Sequence, residues 1–102
     1  MDEKKIEGLL GMAQRAGKVA SGEFAIQKAM AAGKAAALLI AGDASERSKE
    51  ALMKEAEAKG VPIYVLLTKE ALGRCLGKEF RAAAALLDIG FAKTLDERLR
   101  GR

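Results

Sequence analysis

A three-layer α/β/α sandwich around a four-stranded mixed sheet is the fold this sequence predicts, and three observations carry it. Helix-spaced apolar residues alternate along the chain with short apolar runs. Two of those runs, residues 36–41 and 82–87, lack polar alternation, as strands buried on both faces do. Glycines stand at 17, 33, 60 and 77, at the ends of the helix-like stretches, where the left-handed residue that closes a helix is wanted. Strands alternating with helices imply a sheet covered by helical layers, with right-handed crossovers wherever neighbouring strands run parallel.

Each element follows from its local pattern. Ile6, Leu9, Leu10 and Ala13 predict a helix from about residue 3 to residue 16, closed by Gly17. A brief strand at 18–21 leads to Gly22, which opens a second helix with Ile26, Ala29 and Met30 inward and Gly33 at its end. After the strand at 36–41, Asp43 and Glu46 read as a capping box for a helix that buries Ala51, Leu52 and Ala56 and stops at Gly60. Residues 61–67 form the best strand by composition, β-branched and aromatic, with Pro62 at its entry where a missing donor does least harm. Thr68 caps a helix with Leu72, Cys75 and Leu76 on one face before Gly77. Alanine in the run 82–87 favours helix, yet the run is short, apolar throughout and preceded by a glycine turn, so it reads as a buried strand. Phe91, Leu95 and Leu99 stripe a final helix.

Composition excludes several kinds of chemistry. At 102 residues the chain is one domain, with half its residues apolar and 31% charged, an ordinary globular balance. The absence of histidine removes the commonest general base, and the single Cys75 has no partner for an internal disulfide. Cys75 lies on an apolar helix face and reads as a small core residue. The acids are scattered along helix surfaces without a metal-ligand spacing. Neither a Walker loop nor a dinucleotide fingerprint is present, since Gly17-Lys-Val-Ala supplies neither arrangement of glycines. No catalytic residue, metal or cofactor is therefore expected. With no membrane-length apolar run and no leader pattern, the expected compartment is the reducing cytoplasm, and the free chain is expected to be a monomer.

The net charge of +4 and the pI near 9.4 permit a polyanionic partner. Distribution sharpens that reading. Residues 11–34 hold Arg15, Lys18, Lys28 and Lys34 against Glu23, and residues 73–81 hold Arg74, Lys78 and Arg81 against Glu79. Residues 45–60 are balanced, in the manner of a solvated helix face. Within the first segment, the stretch from Gly17 to Lys28 reads as turn, short strand, turn and helix opening. It brings backbone N–H groups and a cation to one spot that suits phosphate.

Four segments taken together resemble a known family: Arg15-Ala-Gly-Lys-Val-Ala-Ser-Gly22, Lys28-Ala-Met-Ala-Ala-Gly-Lys34, Leu39-Ile-Ala-Gly-Asp-Ala44 and Leu72-Gly-Arg-Cys-Leu-Gly-Lys78. They are similar to the small RNA-binding ribosomal proteins of the L7Ae/L30e superfamily, and within it to the bacterial YlxQ-like branch, over residues 6–93. The resemblance implies an α/β/α sandwich and a structured RNA partner, ribosomal or kink-turn-like, read at the start of the second helix. It maps the family's close-approach glycine onto Gly22 and its groove-facing lysine onto Lys28. Where kink-turn readers usually carry an Asn-Glu pair or other polar residues, this sequence has Phe24 and Ala25, which points to phosphate contact and aromatic stacking in place of sheared-pair readout. The family's second element is the loop before the last strand. Here Phe80 either stacks on an unpaired base or plugs the core, while Lys78 and Arg81 neutralise phosphate. The expected RNA surface thus comprises Arg15, Lys18, Ser21, Gly22, Glu23, Phe24, Lys28, Lys78, Phe80 and Arg81. The rival expectation is a protein-interaction module on the same scaffold, without kink-turn readout.

Overall fold

The computed structural model describes residues 3–101. In chain order the elements are α1 (Glu3–Arg15), β1 (Val19–Ser21), α2 (Glu23–Ala31), β2 (Ala37–Ile40), α3 (Glu46–Lys59), β3 (Ile63–Val65), α4 (Lys69–Cys75), β4 (Ala83–Leu86) and α5 (Ile89–Leu99). The strands form one mixed sheet in the order β1-β4-β2-β3. Strand β4 runs antiparallel to both β1 and β2, and β2 runs parallel to β3.

Every residue of β2 and β4 is buried. Successive side chains on a strand point to opposite faces, so this pattern requires cover on both sides of the sheet. Helix α1 packs against both α4 and α5, and α2 packs on α3, giving the two outer layers of the sandwich. Leu38, Leu39 and Ile40 are fully enclosed, each stabilising the fold by about 1.5–3 kcal/mol relative to exposure. The ambiguous alanine run is a strand: Ala83, Ala84 and Ala85 are small enough for helices to approach both faces of β4 closely.

Helix ends follow the glycine reading. After α1, the Lys18 N–H donates to Ala13 O at 2.9 Å around a left-handed Gly17, and after α2 the Lys34 N–H donates to Ala29 O at 2.9 Å around Gly33. Two local expectations are corrected. The cap of α3 is Ser45 rather than Asp43: Ser45 Oγ accepts from the Ser48 N–H at 3.2 Å. Asp43 Oδ1 instead accepts the Lys69 N–H at 2.8 Å, tying the loop before α3 to the start of α4. With the cap shifted, Leu52 and Ala56 face the core and Ala51 is exposed.

The run 61–67 yields a strand of only three residues. Strand β3 is an edge strand paired with β2 alone. Its run ends as Leu67 turns to a φ of 63°, where the Leu67 carbonyl accepts the Gly42 N–H at 2.8 Å. The cost of that left-handed leucine is offset by its burial at 7% exposure.

Candidate nucleic-acid interface

Sheet topology decides which loops meet. Because β4 is antiparallel to its neighbours, it begins where β1 and β2 finish: Ser21 stands opposite Ala84, and Ile40 opposite Ala83. The chain leaving α4 must return to that end, so residues 76–82 lie beside the turn at Gly22. A side-chain bond joins the two. Arg81 Nε donates to Ser21 Oγ at 3.3 Å, and Arg81 Nη1 donates to the Phe80 carbonyl at 3.3 Å. The Arg81 backbone N–H is held by Lys69 O at 3.0 Å.

A cleft of about 200 Å³ opens at this junction, lined by Gly22, Glu23, Ser48, Leu52, Phe80 and Arg81 among others. Gly22 adopts φ 92° and ψ 141° and offers α2 no side-chain cap. A residue with a Cβ is strained in that conformation, while the space beside the glycine is open. Glycine is therefore required by the backbone, and its lack of a side chain also leaves the first N–H groups of α2 approachable. Phe24 and Lys28 lie one helical turn apart on the outer face of α2, both exposed, with Phe24 at 79%.

The position of Phe80 decides against its core reading. It is 55% exposed and stands between the 200 Å³ cleft and a second one, lined by Asp43, Thr68, Lys69 and Glu70. It does not plug the core. The loop that carries it is seated on Gly73, where an added Cβ would come within 2.7 Å of the Glu79 carbonyl oxygen and 2.9 Å of the Phe80 Cα. Lys78, in the same loop, is exposed.

Not all the expected residues gather here. Ser21, Gly22, Glu23, Phe80 and Arg81 converge, with Phe24 and Lys28 along α2 and Lys78 in the adjoining loop. Lys18 stands at the other end of β1, where its carbonyl accepts the Leu87 N–H at 2.8 Å. Arg15 ends α1 and lies back along the Gly11 turn, lining neither cleft. Arg74, counted with the basic surplus of 73–81, is drawn to Glu7 at 3.2 Å and Glu70 at 3.9 Å. Ser48, Leu52 and Gly73 were not among the expected residues. A glycine inside a helical pattern is a signal of close packing and could have found Gly73; nothing local marks Ser48 or Leu52.

Among the described residues no three His, Cys, Asp or Glu side chains gather to hold a metal, and no helix is long and apolar enough to cross a membrane. Burial, reinforced by the nearby Glu7 carboxylate, pushes the Cys75 thiol up to about 11. A thiol so shifted is protonated at neutral pH and a poor nucleophile.

Comparison with known proteins agrees with this architecture. The family described as ribosomal protein L7Ae/L30e/S12e/Gadd45 matches residues 4–95. RNA-binding protein YlxQ of Bacillus subtilis (strain 168) is 37% identical over 87 residues, covering 85% of this chain and 87% of that protein. RNA-binding protein YlxQ of Enterococcus faecium is 31% identical over 100 residues, covering 98% and 96%. Among solved structures, a protein of unknown function from Bacillus halodurans superposes with a TM-score of 0.85 at 30% identity, covering 89% of this chain and 92% of that one. The 15.5kD RNA binding protein of Giardia lamblia shares the fold, with a TM-score of 0.75 at 24% identity over 95% of this chain and 88% of that one.

Proposed function

Because the chain belongs to the ribosomal protein L7Ae/L30e/S12e/Gadd45 family, we propose that it is a non-enzymatic binder of structured, kink-turn-like RNA, acting as a monomer in the cytoplasm in association with ribosomal or similar RNA. One observation carries the reading: the Arg81–Ser21 hydrogen bond joins the 21–28 and 78–81 segments around one cleft. In this reading the open turn at Gly22 and the start of α2 receive the RNA backbone. Lys28, Lys78 and Arg81 neutralise phosphates, and Ser21 positions the Arg81 guanidinium. Phe80 and Phe24 offer exposed faces for unpaired bases, a mode that tolerates sequence and depends on loop nucleotides. Glu23 repels phosphate and so limits how far the backbone runs along α2.

Phosphate contact makes the binding salt-dependent. With roughly three to five phosphates engaged, log affinity against log salt falls with a slope of about −2 to −4. Titration of a kink-turn RNA at several salt concentrations tests this, and a slope near zero, or no binding at low salt, overturns it. The second reading is a protein-docking surface. It is favoured by Phe24, whose 79% exposure puts a large apolar group where RNA readers of this kind carry polar ones. Binding that is insensitive to salt and lost on Phe24→Ala supports that alternative.

A further inference from the structure

At the opposite end of the sheet the chain forms a second basic cleft that the proposed interface does not use. Its volume is about 520 Å³, and Gly17, Lys18, Gly33, Lys34, Leu87 and Ile89 are among its lining residues. The two lysines come from segments 16 residues apart in sequence, yet each follows a left-handed glycine that closes a helix, α1 for Lys18 and α2 for Lys34. The same C-terminal geometry, repeated at the ends of α1 and α2, brings both residues to the lining of one cleft. Both lysines are exposed, and among the described residues neither amine has an ion-pair partner.

Charge at this end favours an anion once the helix dipoles are counted. The C-terminal ends of α1 and α2 each place roughly half a negative charge there, about one charge in all, against two from the lysines. The last N–H groups of both helices are spent within their own caps, so the amines are the free donors. Asp88, the nearest acid in sequence to Leu87 and Ile89, has Oδ1 occupied by the Gly90 and Phe91 N–H groups at 2.7 and 3.3 Å. The adjoining groove, which shares Ala36 and Ile89 with this cleft, is balanced, with Lys93 and Arg100 against Asp96 and Glu97.

We infer that Lys18 and Lys34 form a second phosphate-binding cleft that takes a further backbone segment of the same RNA. The inference rests on the RNA-binding reading above. Strand β1 separates the two surfaces by only three residues, roughly 10 Å of extended chain. An RNA helix continuing past the first surface reaches the second, whereas a short RNA confined to the Gly22 end does not. The second cleft adds affinity and length preference, and base recognition stays at the other end.

The test compares a kink-turn RNA with minimal flanking stems to the same RNA with one stem extended, each titrated over a range of salt. Removing two phosphate contacts by Lys18→Ala with Lys34→Ala lowers the salt slope on the extended RNA by roughly 1.4–1.8. Between two salt concentrations fourfold apart, the wild-type protein then loses about 7–12 times more affinity than the double variant. The short RNA shows no such change. As a control for net charge, Lys54→Ala with Lys59→Ala removes two charges from α3 and leaves both slopes alone. An unchanged slope on the extended RNA, an equal fall on both RNAs, or an equal effect from the α3 control overturns the second cleft while leaving the Gly22 surface standing. A wild-type protein that binds neither RNA overturns both readings.

Discussion

The two ends of the sheet are built from the same connections traversed in opposite senses. At one end β1, β2 and β3 finish and α2, α3 and α4 begin, so the positive ends of helix dipoles face outward, and the first N–H groups of α2 carry no side-chain cap. At the other end α1, α2 and α3 finish and the next strands begin, so carbonyl groups and negative dipole ends face outward. The first end needs few added cations to attract phosphate, and it carries open backbone and exposed phenylalanines. The second must first offset its own helix ends, and it does so with Lys18 and Lys34. Lysines at both ends therefore do not make the two surfaces equal: in the proposed reading one is suited to recognition, the other to electrostatic support.

The largest effect that breaks this comparison is expected at Gly73, which touches no ligand in either reading. Its replacement by alanine drives a Cβ into the backbone of Glu79 and Phe80 and displaces the whole 78–81 loop. Overpacking of this kind costs about 1–3 kcal/mol of stability. Loss of a stacked base together with a phosphate contact lowers RNA affinity by roughly a hundredfold. Thermal melting and RNA titration of one preparation check both. A folded Gly73→Ala protein with full affinity shows that the loop is not part of the interface.

Gly22→Val comes next. The φ of 92° makes any side chain strained there, by about 1–3 kcal/mol, and the branched group also obstructs the turn. The RNA titration should weaken by more than ten-fold in protein that melts cooperatively, whereas Gly33→Ala, at the other end, should cost stability by left-handed strain alone and leave short-RNA affinity intact. Phe80→Ala is smaller and more selective. At 55% exposure the ring contributes little to the core, so the melting temperature should barely move. Affinity for an RNA with an unpaired loop base should fall about ten-fold, at about 1–3 kcal/mol per stacked base, with a plain duplex unaffected.

The smallest effect concerns neither surface and sharpens the contrast by its silence. Burial and then the Glu7 charge raise the Cys75 thiol to about 11 from 9. A raised thiol pKa holds the proton more tightly in the folded chain. Its stabilisation is therefore complete below pH 9 and is lost as the pH climbs from 9 to 11. Alkylation at pH 8 should be slow in native protein and fast in denatured protein, with RNA affinity unchanged after modification.

Much of this architecture is legible in the sequence because it is local. Apolar runs on β2 and β4, helix spacing and glycine closures are set within a few residues, and the order of elements follows from them. Strand order is not local, and it governs the site. Nothing near Lys18 shows that a three-residue strand carries it away from Gly22, nor that Glu7, far off in α1, neutralises Arg74. The capping role passed from Asp43 to Ser45 because Asp43 serves a backbone N–H in α4, 26 residues on. The run 61–67 matched a strand in composition, but as an edge strand with one neighbour it needs only three residues paired. Phe80 could not be placed from sequence because an aromatic beside a glycine turn packs inward or outward according to what lies beneath it, and here Gly73 is filled by backbone rather than by the ring.

In the proposed reading RNA is met first at the end of the sheet where β1 stops and β4 starts. Backbone amide NMR of the uniformly labelled protein, titrated with a short kink-turn RNA, tests it most directly. The amides of residues 21–28 and 78–81 are expected to shift earliest and furthest, with Lys18, Lys34 and the groove beside Lys93 quiet until the RNA is extended. Shifts that begin at Ile89 and Lys93, or at the Lys18–Lys34 cleft, with residues 21–28 unmoved, would overturn that order.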